Sequence, residues 1–434
     1  MDLGKGAFKG GTHPPDRKAA TAGMPVVWVP VPGRLVLPMS QHLGAPCAPT
    51  VEVGQRVMRG EVVGSVDAFV SAPVHSPVSG EVTTIGSCLT AGGTRVTAVT
   101  IVPDPEQDLE SFLPVTADDA RALVRAAGIV GMGGATFPST VKLTPPADTP
   151  VATVILNGCE CEPFLTCDHR LMLEIPERVV DGARKIAEIV GASRAIICVE
   201  DNKPDAAEAL RGVAGEGVEV RALPTRYPQG AEKQLIWAML RKEVPHGKLP
   251  AVTGALVHNV ATAAAIADAI DHGKPLMERI VTVTGAVARP GNYRVLLGTL
   301  VSDLLEYAGG TVGEVGRVIA GGPMTGPALA SLDVPVAKGT SGIVVLAADE
   351  AAPLVEDDQP CIRCGRCPEA CPMFLQPYTI ANYAARGDWN SADRFSPIDC
   401  IECGCCSYVC PTNRPLVQLI RLAKAAAMVR GVKP

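Results

Sequence analysis

The chain carries one cysteine pattern twice near its end, CIRCGRCPEACP from Cys361 and CIECGCCSYVCP from Cys400, both reading CxxCxxCxxxCP. No other feature constrains the fold as much. Three thiolates in a tight CxxCxxC loop can hold a cubic iron–sulfur cluster, and the fourth Cys, followed by Pro, is turned towards the other cluster. By that crossover Cys361, Cys364, Cys367 and Cys410 hold one 4Fe-4S cluster, Cys371, Cys400, Cys403 and Cys406 hold the second, and Cys405 is a spare. The implied chemistry is one-electron transfer. Structural zinc, which commonly uses CxxC pairs, does not need two runs of four that each end in Cys-Pro. Disulfides need an oxidising compartment, and MDLGKGAFKGGTHPPDRKAAT at the start has no apolar stretch of an export signal. A reduced, cytoplasmic chain is expected.

With 434 residues, 47% of them hydrophobic, a globular chain of several domains is expected. A net charge of -6 gives no basic field for nucleic acid. No apolar run approaches the roughly 20 residues that span a bilayer.

Residues 1–22 read as an arm. From about Val26 to Val102, short Val-rich runs broken by Pro and Gly, such as VEVGQRVMRGEVVG and SAPVHSPVSGEVTTIG, indicate a small β module at 23–105. It resembles the barrel-sandwich modules that carry lipoyl or biotinyl groups on a lysine. No lysine occurs between Lys18 and Lys142, so a structural or docking role is expected instead.

From residue 115 to 275 buried runs alternate with helical periods, as in a parallel α/β sheet. Thr116 is the expected cap of a first helix whose apolar face is Ala120, Leu123, Val124 and Ala127. Further helices are expected around Glu177–Val190 and Asp205–Val213, with strands at Val154–Leu156, Ala195–Val199 and Val218–Val220. GIVGMGGATFP follows a helix, so it is not a dinucleotide fingerprint, which runs strand, turn, helix. Its Gly131, Gly133 and Gly134 leave no side chains and allow close approach of a flat ring or a phosphate, or they form an ordinary tight loop. In VILNGCECEPFLTCDHRLM a strand ends at Asn157, which puts Asn157, Glu160 and Glu162 at the kind of sheet edge where ligands bind. Cys159, Cys161 and Cys167 lack a clear fourth ligand and read as ordinary thiols.

GMGGATFPSTVK and LNGCECEP resemble the flavin-binding core of the NADH-oxidising subunit of respiratory complex I, and RYPQGAEKQLI and LVHNVATAAAIADAI resemble two further stretches of it. The resemblance implies FMN against Gly131, Gly133, Gly134, Lys142, Asn157, Glu160, Asn259 and Thr262, and NADH stacked near Phe137 with Glu162 and Glu232 on its polar groups. Cys159 and Ala231 stand where the complex I pattern has acids.

Over nearly its full length the chain resembles the RnfC family of the Rnf electron-transport complex. FKGGTHPPDRK, LPMSQHLGAP, SAPVHSPVSG, YPQGAEKQL and the paired cysteine runs occur in that family's order. IVTVTGAVARPGNYRVLLGTLVSDLLEYAGG resembles its β-grasp module. The implied fold class is multidomain α/β: the barrel-sandwich module, a Rossmann-like α/β flavin domain at 115–275, a β-grasp (SLBB-like) module at 277–350, and an α-helical bacterial-ferredoxin-type domain with two 4Fe-4S clusters at 355–430. The implied function is electron transfer between NAD(H) and ferredoxin-linked carriers through FMN and two 4Fe-4S clusters, at the cytoplasmic face of the membrane. The implied partners are the other Rnf subunits, including membrane subunits that move Na+ or H+ and a ferredoxin-like subunit, with soluble ferredoxin reached indirectly. Two alternatives stay open: a cobalamin reductase of diol-utilising microcompartments, and a non-enzymatic iron–sulfur adaptor. PLVQLIRLAKAAAMVRG reads as an amphipathic helix from Pro415, with Leu416, Leu419, Ile420, Ala423 and Ala427 facing either the cluster domain or a membrane surface.

Overall fold

The computed structural model describes residues 6–351 and 360–431. The expected start of the cluster domain at 355 lies outside the described residues.

Four parallel strands form the α/β unit, in the spatial order Val218–Leu223, Arg194–Glu200, Thr153–Gly158, Ala255–Asn259. The Val- and Ile-rich segments of the last three are buried because helices cover the sheet, while the edge strand Val218–Leu223 is only partly buried. Chain order runs outward from Thr153–Gly158 through the next two strands, then returns to place Ala255–Asn259 on the other side. The topological switch point, where open α/β sheets bind ligands, therefore lies between Asn157 and Asn259, which are direct register partners.

Helices Pro176–Val190 and Pro204–Ala214 begin with proline in the first turn, where its missing N–H costs nothing. The first helix of the unit, Ala120–Ala126, is capped by Asp119 and not by the expected Thr116. Asp119 is extended and its carboxylate accepts the Ala122 N–H at 2.8 Å, a bond that fixes the start of the helix one turn later than Thr116 would.

The β module consists of two antiparallel sheets, one with Leu35–Pro38, Arg95–Pro103, Gly80–Leu89 and Arg56–Val57, the other with Ala48–Pro49, Val62–Ser65 and Val74–His75. Val26–Trp28 does not belong to it, contrary to the sequence reading. Those residues pair in parallel with Gly291–Leu296, at the edge of the β-grasp sheet that also holds Glu278–Gly285, Gly342–Ala347 and Val315–Ala320. The pairing covers the edge of Gly291–Leu296 and makes Val26–Trp28 the outermost strand on that side.

These three modules share one continuous apolar core, which includes Leu37, Val99, Leu156, Ile197, Val281 and Ile343. The cluster module has its own core of Ile380, Ala381, Leu416, Ile420 and Ala423. Its last helix, Leu416–Val429, buries Leu416, Ile420, Ala423 and Ala427, with Leu419 partly buried beside them. Its basic residues are engaged as well: Arg421 and Lys424 pair with Glu402, and Arg430 with Asp393. This helix packs on its own domain. Among the described residues no helix is long and apolar enough to cross a membrane.

Helix Pro176–Val190 lies against Val260–His272 through Gly182, where a Cβ would overlap the Ala263 carbonyl. Gly182→Ala is therefore expected to destabilise the α/β unit by about 1–3 kcal/mol. Gly212→Ala, on the neighbouring helix with nothing within 4 Å of its Cβ position, is expected to be neutral or stabilising. Thermal unfolding of the two variants checks the contrast.

Candidate functional site

The cleft at the switch point is built by side chains that hold backbone in place. Asn259 ends its strand and caps helix Val260–His272, accepting the Ala261 and Thr262 N–H groups at 2.9 and 3.3 Å. Thr262 is fully buried, and its Oγ1 accepts the Met132 N–H at 2.8 Å, which fixes the glycine loop from below. The loop then closes on itself through the Gly131 N–H to the Phe137 carbonyl at 2.8 Å. A Cβ on Gly133 would come within 3.4 Å of Asn259 Cβ, and Gly134, at φ 112°, faces open space. The result is a side-chain-free backbone surface over the sheet edge, a fit for a planar ring system and its phosphate.

Asn157 joins two loops. Its Nδ2 donates to the Gly230 carbonyl at 2.8 Å and its Oδ1 accepts the Cys159 N–H at 3.1 Å. Lys142 and Glu232 form a 2.8 Å ion pair, with Lys142 also on the Val257 carbonyl at 3.0 Å; both side chains keep about a third or less of their surface exposed, 27% and 33%.

Two of the expected site carboxylates face inward. Glu160, at φ 46°, accepts the Asp168 and His169 N–H groups at 2.7 and 3.3 Å and so caps the start of helix Cys167–Glu174. Glu162 accepts the Met324 N–H at 3.1 Å and the Thr325 hydroxyl, both from the β-grasp module. Glu162, the residue expected on NADH, thus has both carboxylate oxygens engaged on the β-grasp module. Burial raises its pKa, and the Thr325 and Met324 hydrogen bonds oppose that rise.

Sequence reasoning missed Asp168. Burial and the adjacent Glu160 push its carboxyl up to about 7, while Asn259 Nδ2 donates to it at 2.6 Å. The helix N-terminus in TCDHRLM was the only available signal. Glu160, Cys167 and Asp168 come close together, whereas Cys159 is fully buried and Cys161 accepts the Gly230 N–H at 3.4 Å. Burial drives Cys161 up to about 12, as suits an inert thiol.

The cysteine loops repeat each other in backbone detail. Arg363 and Glu402 both have φ 57°, and Gly365 and Gly404 have φ 79° and 78°. An N–H points at a sulfur in each: Arg363 to Cys361 Sγ at 3.4 Å and Glu402 to Cys400 Sγ at 3.3 Å. Burial, then Cys361 and Cys410, push Cys367 up to about 11. Cys400 is pushed up to about 11 by burial and by Cys403 and Cys371. Cys410 thus acts on Cys367, and Cys371 on Cys400, as the crossover expects. Such thiols bind metal as thiolates, so a bound cluster offsets this cost. Cys405 is fully buried beside Cys403, with its sulfur 4.0 Å from the Tyr227 carbonyl.

The cluster module meets the rest of the protein at a small apolar group of Tyr227, Ala370 and Cys405, with Cys161, Met324 and Cys403 packed against it. The Tyr227 hydroxyl donates to the Cys403 carbonyl at 2.7 Å, and Gln234 Nε2 to the Pro372 carbonyl at 3.2 Å. Cys364 lies at the exposed side of the module.

Four family models match in succession: an RnfC barrel sandwich hybrid domain over residues 6–106, a Nuo51 FMN-binding domain over 124–268, an SLBB domain over 280–328 and a 4Fe-4S dicluster domain over 353–411. The RnfC-type protein of the Na(+)-translocating ferredoxin:NAD(+) oxidoreductase complex from Acetobacterium woodii is 45% identical, with 98% of each chain covered. The chain belongs to the RnfC family. The counterpart from the proton-translocating ferredoxin:NAD(+) oxidoreductase complex of Clostridium ljungdahlii is 42% identical over 98% of this chain and 95% of the relative. That from the ion-translocating oxidoreductase complex of Rhodobacter capsulatus is 41% identical over 96% of this chain and 82% of the relative. This RnfC chain carries the FMN-binding and 4Fe-4S dicluster domains that those models describe. The glycine cradle and the paired cysteine loops fit those groups.

Thr262→Val keeps the shape of the site but leaves the buried Met132 N–H without an acceptor, a cost of about 1–3 kcal/mol. The loss falls on the glycine loop. The expected outcome is a lower flavin-to-protein ratio by absorbance with iron content unchanged.

Proposed function

We propose that this RnfC chain is the peripheral electron-input subunit of a membrane-bound ion-translocating complex, passing electrons between NAD(H) and ferredoxin-linked carriers. The observation that carries the reading is that the α/β unit with a glycine cradle at its switch point and a two-cluster cysteine module are packed together in one chain, through Tyr227. When bound, FMN accepts the hydride pair of NADH, and the two 4Fe-4S clusters carry single electrons at potentials tunable over about 1 V.

The chain's own residues divide the work. Gly131, Gly133 and Gly134 provide the surface for FMN, and Asn157, Asn259 and Thr262 hold the surrounding loops rigid. Lys142 and Glu160 complete the proposed flavin site, Lys142 as a cation near its opening and Glu160 by ordering helix Cys167–Glu174. Phe137 and Glu232 are the proposed NADH contacts. Cys371, Cys400, Cys403 and Cys406 hold the inner cluster beside Tyr227, and Cys361, Cys364, Cys367 and Cys410 hold the outer one, towards a protein partner. Coupling to Na+ or H+ movement falls to membrane subunits, with this chain on their cytoplasmic face beside a ferredoxin-like subunit.

Protein purified and reconstituted anaerobically is expected to oxidise NADH with a one-electron dye in proportion to its bound FMN; absence of flavin from such protein would defeat the reading. Cys371→Ala is expected to remove the electron paramagnetic resonance (EPR) signal of the cluster built on Cys400, Cys403 and Cys406 and to spare the other. Loss of the other signal instead would refute the crossover.

A further inference from the structure

Glu162 sits where three modules meet. Besides its bonds to Met324 and Thr325, one carboxylate oxygen lies 3.5 Å from the Tyr227 hydroxyl, which itself donates to the Cys403 carbonyl. The packing leaves no slack. A Cβ on Gly322 would overlap the Glu162 carboxylate, and one on Gly404 would press on the Met324 carbonyl at 2.5 Å. The loop Gly322–Thr325 is thus held between a glutamate of the flavin loop and the second cysteine run. Burial raises the Glu162 pKa, and the two donors work against that rise by favouring the charged form. Glu162 is partly buried, so solvent screens its field less than that of a surface carboxylate, and an electron added close to a fixed negative charge is disfavoured.

We propose that Glu162 is a positioning and tuning residue for the inner cluster: it fixes the Gly322–Thr325 loop against Cys403 and Gly404, and its charge holds down the reduction potential of the cluster on Cys371, Cys400, Cys403 and Cys406. The inference rests on the two-cluster reading above and gives Glu162 a role other than contact with nucleotide. It makes the β-grasp module a participant in electron transfer, because Met324 and Thr325 set how much of the Glu162 charge the cluster feels.

The test is a potentiometric titration of the full chain, with FMN and both clusters, followed by EPR at pH 8. Glu162→Gln keeps the size and one acceptor oxygen, enough for the Met324 N–H, while its amide N–H can donate to the Thr325 hydroxyl, and it removes the charge. The expected result is a more positive midpoint for the inner cluster, at least threefold in its reduction equilibrium, with the outer cluster unchanged and KM for NADH within twofold of wild type. Glu162→Asp, which retains the charge, should stay within twofold of wild type in that equilibrium. Thr325→Val, at an exposed position, removes a donor from the carboxylate and should move the inner midpoint the other way. This variant decides the matter even if Glu162→Gln fails to assemble the cluster. Unchanged inner midpoints in the variants that assemble, or a raised KM for NADH with both midpoints unchanged, would overturn the proposal. If wild-type protein shows no reducible cluster on these four cysteines, the two-cluster reading itself fails and this inference falls with it.

Discussion

The ammonium of Lys18 is buried, 7% exposed, and donates to the carbonyls of Glu160 and Glu162 at 2.9 Å each and to that of Leu165, with the Glu160 carboxylate 3.9 Å away. Burying a charge costs several kcal/mol unless it is paired and hydrogen-bonded, and here burial lowers the lysine pKa while Glu160 opposes that shift. The three carbonyls belong to a loop that would not hold its shape alone. Glu160 and Phe164 have φ 46° and 71°, each a strained conformation for a residue with a side chain. The arm supplies the restraint, with the Phe164 N–H also donating to the Asp16 carbonyl at 2.7 Å. Glu162 and Cys161 owe their positions to that restraint.

The same arm ties the cluster module down. The Gly11 N–H donates to the Ala370 carbonyl at 2.8 Å, Thr12 bridges Tyr227, and Gly10 packs so closely on the Cys371 carbonyl that a Cβ there would lie 2.7 Å away. Two separate apolar cores are thereby kept in fixed contact across a small interface. Electron transfer demands such an arrangement, since the centres must keep a constant separation while each keeps its own environment.

Much of this was legible in the sequence. The cysteine runs announce themselves by spacing alone, and the strands and helices of the α/β unit follow from buried Val and Ile runs alternating with helical periods. The glycine loop and Asn157 were readable because they stand at a strand end. The parts that escaped depend on distant partners. Val26–Trp28 looks like any short strand, and only its pairing with Asn292–Arg294 assigns it to the β-grasp sheet. Lys18 reads as a surface residue in a polar arm, yet it is buried by a loop that begins at Glu160. Glu162 looked like a cleft carboxylate because its partners, Met324 and Thr325, lie in another module. Asp168 carries no motif, and its environment is made by Glu160 and Asn259.

The central claim is that the inner cysteine quartet stands between the flavin cradle and the outer quartet. Rapid-freeze EPR after mixing the anaerobic protein with NADH tests it most directly. The account predicts that the cluster on Cys371, Cys400, Cys403 and Cys406 is reduced first, and that in Cys371→Ala protein the remaining cluster is reduced far more slowly. Reduction of the Cys361, Cys364, Cys367 and Cys410 cluster first, or at an undiminished rate without the inner one, would contradict it.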